Sequence, residues 1–176
     1  MDILTAFDSS PPLDKFNTRV TSQSKDEWLT PPEIIRALGS FDLDPCAPIK
    51  RPWEMAARHF TLDDNGLQHP WNGRVWLNPP YGKETFKWIA RLAEHKSGVA
   101  LIFARTDTEG FHQHIFHKAH SMFFFEGRLR FYHVDGTRGD THNAPSYLIS
   151  YSEEDTIAIR RARFKGRLLL CSSPSD

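Results

Sequence analysis

Apolar positions along the chain recur at two periods, and the switches between them mark out the elements. "WLTPPEIIRALG", residues 28–39, predicts a helix. Thr30 can cap it, Pro31 suits its first position, Glu33 completes a capping box three residues after Thr30, and Gly39 supplies the stop. "FDLD", 41–44, follows as a short strand, and 45–72 reads as irregular apart from a helical turn near "WEMAARHF". "RVWL", 74–77, is a buried strand, and a helix is expected from about Glu84 to His95 with Phe86, Ile89, Ala90 and Ala93 on one face. "VALIFA", 99–104, is the continuous apolar run of a central parallel strand covered on both sides. Thr106 to Thr108 form a capping loop for a helix reaching about Ala119, and "MFFF", 122–125, is a further buried strand. "EGRLRFYH", 126–133, alternates and either extends the sheet or begins a hairpin, whereas "DGTRGDTHNAP", 135–145, has turn chemistry and is expected as a surface loop. "SYLISY", 146–151, is a strand, and the tail ends in a helix or a strand. Strands alternating with helices imply an α/β sandwich with a mainly parallel sheet, helices on both faces and an antiparallel end.

Length and composition keep this to one domain. The 176 residues suffice for a core; residues 1–26, polar and without periodicity, read as a flexible leader, and 27–176 as the single domain. No run approaches the roughly 18 apolar residues of a membrane span, and the first residues lack a signal-peptide pattern. Cys46 and Cys171 have no metal-type spacing and suit a reducing cytoplasm. With 22 basic and 22 acidic residues, bulk charge does not favour nucleic acid, but its distribution does at one place. Between Ile157 and Leu170 the chain carries Arg160, Arg161, Arg163, Lys165 and Arg167 with no acid, a run suited equally to phosphates and to a solvated face. Arg128 and Arg130 flank Leu129 and share one side, for phosphate contact or ion pairing alike, and Arg105 stands at a strand's carboxyl end beside Asp107 and Thr108. His112, His114, His117 and His120 do not converge on one helical face, so no metal site is expected. Phe123, Phe124 and Phe125 read as core.

The candidate chemistry concentrates in "VWLNPPYG", residues 75–82, which reads either as an abrupt structural turn or as a rigid polar clamp. Neither Pro79 nor Pro80 can donate to a sheet ladder, so the strand must stop, and Pro79 biases Asn78 toward extended backbone. That holds the Asn78 side chain at the strand's carboxyl edge, where open α/β sheets bind ligands. An exocyclic amine on a base is a poor nucleophile because its lone pair is conjugated into the ring. Accepting hydrogen bonds from both of its N–H bonds draws the nitrogen toward tetrahedral geometry and aims the lone pair at an electrophile. The Asn78 side-chain oxygen and the Pro79 carbonyl are suited to accept them, and Tyr81 to stack on an extruded base.

This tetrapeptide resembles the Asp/Asn/Ser-Pro-Pro-aromatic motif of S-adenosylmethionine-dependent amino-methyltransferases. The series "DEWLTPPEII", "FDLDPCA", "DDNGL…W", "VWLNPPYG", "ARTDT", "GRLRF" and "APSYLISY" is similar to the phage and prophage-type Dam-like DNA N-6-adenine-methyltransferases over residues 26 to about 151. The resemblance implies an abbreviated Rossmann-like class I methyltransferase fold that methylates adenine N6 in double-stranded DNA with the target base flipped out. Matched residue by residue, it places Thr30 and Pro31 at the methionine part of the cofactor, Asp44 and Pro45 at its amino group, and Asp63 or Asp64 near its adenosine. Asn78, Pro79, Pro80 and Tyr81 become the catalytic clamp, Asn78 also facing the cofactor. For such a substrate, Arg105, Arg128, Arg130, Arg160 and Arg161 from the charge reading are the candidates for DNA contact. No metal is required. The first strand is followed by "DPCAP" instead of the family's usual glycine-rich turn, and Asp44 to Arg74 is too short for a full strand-helix pair, so an irregular cofactor wall is expected. The same clamp would also serve cytosine N4, an RNA base or a protein glutamine, and a non-catalytic nucleic-acid-binding domain with a decayed pocket is the distant alternative.

Overall fold

Side-chain alternation along the strands divides the apolar residues between two faces of one sheet. The computed structural model describes residues 27–141 and 144–171, so the leader expected at 1–26 lies outside the described residues. The strands are β1 (Leu43–Asp44), β2 (Arg58–His59), β3 (Val75–Leu77), β4 (Gly98–Phe103), β5 (Ser121–Phe125), β6 (Arg130–Tyr132), β7 (Arg138–Thr141), β8 (Ser146–Ser150) and β9 (Gly166–Leu170). The helices are α1 (Pro32–Leu38), α2 (Thr85–His95), α3 (Glu109–Phe111), which runs into a π-helical turn at His112–Phe116, and α4 (Glu153–Arg161). Seven strands form a sheet in the order β2-β1-β3-β4-β8-β5-β9, and β6 and β7 form a separate hairpin. β2, β1, β3 and β4 are mutually parallel; β8 is antiparallel to both β4 and β5, so β5 runs with β4, and β9 runs against β5.

Val75 and Leu77 of β3, Ala100 and Ile102 of β4, Met122 of β5 and Tyr147 and Ile149 of β8 point to the face covered by α2 and α3. Trp76, Val99, Leu101, Phe123 and Leu148 point to the other, where α1, α4 and Phe131 of the hairpin lie. Burial on both faces is why β4 reads as an unbroken apolar run. The buried stripe of α2 is Thr85, Trp88, Ile89, Leu92 and Ala93, rotated from the expected face so that Trp88 and Leu92 replace Phe86 and Ala90.

Local expectations differ in four places, each for a nameable reason. Thr30 does not cap α1: Pro31 is the N-cap residue, with no side-chain hydrogen bond, because Leu29 is drawn into a two-way backbone bridge with Tyr132. No helical turn forms near "WEMAARHF". The backbone there turns to the sheet instead, Ala57 N–H donating to Phe41 and Arg58 N–H to Asp42, while Trp53 packs edge-on against Tyr132. The stretch 135–145 is a loop only in part. Asp135 accepts from the Thr137 N–H and hydroxyl, closing a turn that lets Arg138–Thr141 pair with β6. The helix expected to reach Ala119 is shorter, and it ends in the π-helical turn. The basic tail forms both a helix and a strand, α4 and β9.

One ion pair locks the amino-terminal edge of the sheet. Arg74 Nε donates to Asp155 Oδ1 at 2.7 Å, and Asp155 Oδ2 accepts the Gly98 N–H at 2.7 Å and the Ser152 hydroxyl at 2.6 Å. Arg74 also donates to the Leu38 and Ser40 carbonyls and lies over the Phe41 ring, so α1 and α4 meet on the guanidinium that precedes β3, and β4 joins them through Asp155.

Candidate active site

Chain connectivity alone opens a crevice beside Asp44. From β1 the chain crosses to β2 on one side, then returns to β3 on the other, so the loops leaving β1 and β3 diverge at the carboxyl edge of the sheet. Such a reversal of strand order is where open α/β sheets hold ligands. A cavity of about 480 Å³ lies there, lined by Glu27 and Trp28 before α1, Cys46, Ala47 and Pro48 after β1, Thr61, Leu62, Asn65 and Gly66 after β2, Asn78 to Tyr81 after β3, and Trp88 of α2. That volume suits a drug-sized ligand.

Within the proline turn each polar atom has a distinct assignment. Asn78 Nδ2 donates to the Trp28 carbonyl at 3.0 Å. A carbonyl only accepts, so this bond sets which way the amide faces, and Asn78 Oδ1 is left as an acceptor, 3.4 Å from the Tyr81 hydroxyl. The Asn78 main-chain carbonyl accepts the Cys46 thiol at 3.3 Å, and the Pro80 carbonyl accepts the Thr85 hydroxyl at 2.8 Å. The Pro79 carbonyl between them accepts no hydrogen bond among the described residues. Tyr81 is stacked on Phe103, ring centroids 4.1 Å apart and 12° from parallel, and burial pushes its phenol above the ordinary tyrosine range.

Asp44 is 3% exposed, and its carboxylate accepts the Cys46 N–H at 3.1 Å. Burial raises its pKa to about 7, against the smaller opposing effects of that hydrogen bond and of Arg51. Burial, then the Asp44 charge, pushes the Cys46 thiol well above its usual value. Thr30 is fully buried, and its hydroxyl has no hydrogen-bond partner among the described residues. Pro31 and Pro45 are buried. Asp63 and Asp64 are exposed on the loop that contributes Thr61, Leu62 and Asn65 to the cavity. The Asp64 carboxylate accepts the Thr61 N–H and hydroxyl, both at 2.8 Å, bonds that lower its pKa, while Asp63 makes no hydrogen bond or ion pair among the described residues.

The cavity thus takes in Asn78 through Tyr81 from the expected site residues, whereas Thr30, Pro31, Asp44, Pro45, Asp63 and Asp64 are not on its lining. Arg105, Arg128, Arg130, Arg160 and Arg161 are all exposed and also off the lining. The four histidines do not gather: His120 Nδ1 lies 2.8 Å from the Thr156 hydroxyl, and His112 sits edge-on to Phe111. Among the described residues no three His, Cys, Asp or Glu side chains gather as a metal site.

Sequence reasoning missed Trp28, Cys46, Gly66 and Trp88. Gly66 carried a signal in "DDNG": a side chain there would run into the Pro45 carbonyl, so the close backbone approach missing from "DPCAP" comes from the loop after β2. Residues 17–162 match the family model for DNA N-6-adenine-methyltransferase (Dam). No curated protein and no solved structure matches the chain.

Proposed function

The chain belongs to the DNA N-6-adenine-methyltransferase (Dam) family, and on that premise we propose that it methylates the N6 amine of an adenine flipped out of DNA into the cavity at Asn78–Tyr81, with S-adenosylmethionine as methyl donor. The observation that carries this reading is a pair of acceptors in the turn with capacity to spare: Asn78 Oδ1, whose one contact is the long bond from the Tyr81 hydroxyl, and the Pro79 carbonyl. Asn78 Oδ1 is held outward by the bond from its own amide nitrogen to Trp28, and the Pro79 carbonyl is uncommitted between two committed neighbours. Each can accept one N–H of the target amine, which withdraws the lone pair from the ring and stabilises the positive charge that grows on nitrogen as the new bond forms. Acceptors fixed before the reaction need no reorganisation, and losing one such oriented group costs roughly 100- to 1000-fold in rate. Tyr81 offers the ring face on which the base stacks.

The residues around the crevice suit the cofactor. S-adenosylmethionine supplies a methyl group on a cationic sulfonium. Thr30 brings a buried hydroxyl that still needs a partner, and Asp44 a buried carboxyl that a cationic group would hold ionised. Gly66 keeps the floor low, and Ala47, Pro48, Leu62 and Trp88 give an apolar lining. Thr30, Pro31, Asp44 and Pro45 would hold the methionine end. Asp63 would serve the adenosine end, because the Asp64 carboxylate is already engaged by Thr61. The sheet is read as an abbreviated Rossmann-like class I methyltransferase fold, its strand β2 reduced to two residues and followed by a single 3-10 turn, Gly66–Gln68, in place of an α-helix. The formed cavity argues against a decayed pocket.

The test is transfer of tritium from labelled S-adenosylmethionine to DNA, with mass spectrometry of the digested nucleosides. N6-methyladenine is expected from the wild type, and at least a 100-fold slower rate from Asn78→Ala with the melting temperature retained. Wild-type rate in that variant, or label in cytosine alone, would refute the assignment.

A further inference from the structure

We propose that Phe103 is a positioning residue for Tyr81, backing the tyrosine ring face to face and fixing the plane on which the target base stacks. This rests on the role proposed above for Tyr81. Phe103 closes β4 and is paired in register with Ser146 of β8, so its ring stands on ladder-bonded backbone. Tyr81 stands on much less. It opens the connection to α2, followed by Gly82 at φ +133 with open space around it, and its hydroxyl reaches Asn78 Oδ1 only at 3.4 Å. The 4.1 Å, 12° stack is therefore the contact that sets the ring plane. Tyr81 lines the cavity and Phe103 does not, so Phe103 covers the side of the ring turned away from it and leaves the other side for the base. Base, Tyr81 and Phe103 become three successive aromatic layers, the last anchored in the sheet.

The variant Phe103→Leu keeps an apolar side chain on the strand and removes the plane. In the full chain, its KM for DNA is expected to rise about three- to tenfold, the range an aromatic pair supports, with kcat and S-adenosylmethionine affinity little changed. 2-Aminopurine placed at a position the wild type methylates should fluoresce more brightly with the variant, because Tyr81, no longer backed, stacks less closely on the extruded base. Phe103→Trp should restore both readouts. An unaltered KM and fluorescence in Phe103→Leu, while the wild type labels adenine, overturns the role of Phe103 alone. So does a loss shared by cofactor affinity and melting temperature that Phe103→Trp does not rescue, since that marks a packing residue. A wild-type chain that labels no adenine overturns the function and this assignment with it.

Discussion

Asp44 illustrates how much one buried carboxyl alters. Its pKa, about 7 in the fold against an ordinary 3.8, means the folded chain holds a proton the unfolded chain has released. Between those values the unfolded state binds fewer protons, so stability falls as pH rises from about 4 to about 7. Asp44→Asn, which keeps an acceptor for the Cys46 N–H, should remove that slope and melt above the wild type at pH 8; parallel melting profiles across the range would contradict it. The Asn78–Tyr81 turn was legible at this scale because proline's missing N–H acts wherever the chain goes. Thr30 was not: its capping pattern is local, and a backbone bridge to a residue a hundred positions away overrode it. Trp28, Cys46 and Trp88 were equally hidden, since each joins the crevice only once distant segments have packed.

Elements were legible where burial enforces a period. β3, β4, β5 and β8 were readable because both faces of the sheet are covered, and α2 because its stripe is broad. β7 was hidden by turn-rich composition, and β2 is too short to leave a pattern. The Arg74–Asp155 pair that joins α1 and α4 to β3 and β4 left no sequence signal either, its partners being 81 positions apart. Asp155 is 1% exposed and accepts three bonds besides its own cap, so Asp155→Ala strands the guanidinium and the Gly98 N–H together. Urea denaturation should register a loss of about 3 kcal/mol, the lower end for a broken buried pair because Arg74 keeps some contact with water. A change near zero would mean the four elements are held by their apolar contacts alone.

At the scale of the whole molecule, the basic segment after α4 shares the cavity's edge of the sheet. β9 begins at Gly166 opposite Phe125, the last residue of β5, so the segment from Arg161 to Lys165 lies at the carboxyl edge of the parallel strands. Four strand spacings separate β3 from β9, about 19 Å, comparable to the breadth of a duplex. Arg160 and Arg161 are exposed on α4, and Arg128 and Arg130 flank the start of the hairpin. In the reading proposed here, a duplex rests along this edge while one base enters the cavity. Arg160→Ala combined with Arg161→Ala should weaken DNA binding across sequences and flatten its dependence on salt by about one unit of slope for each phosphate no longer neutralised. An unchanged slope in anisotropy titrations would move the duplex elsewhere.

The bond from Asn78 to Trp28 ends on a main-chain carbonyl, and main-chain atoms are common to every residue type. No point substitution at position 28 deletes that anchor; on that side of the bond, only a shift of the backbone can. Exchange of the indole, which lines the cavity and packs on His133, would therefore reshape the pocket wall while leaving the amide its anchor.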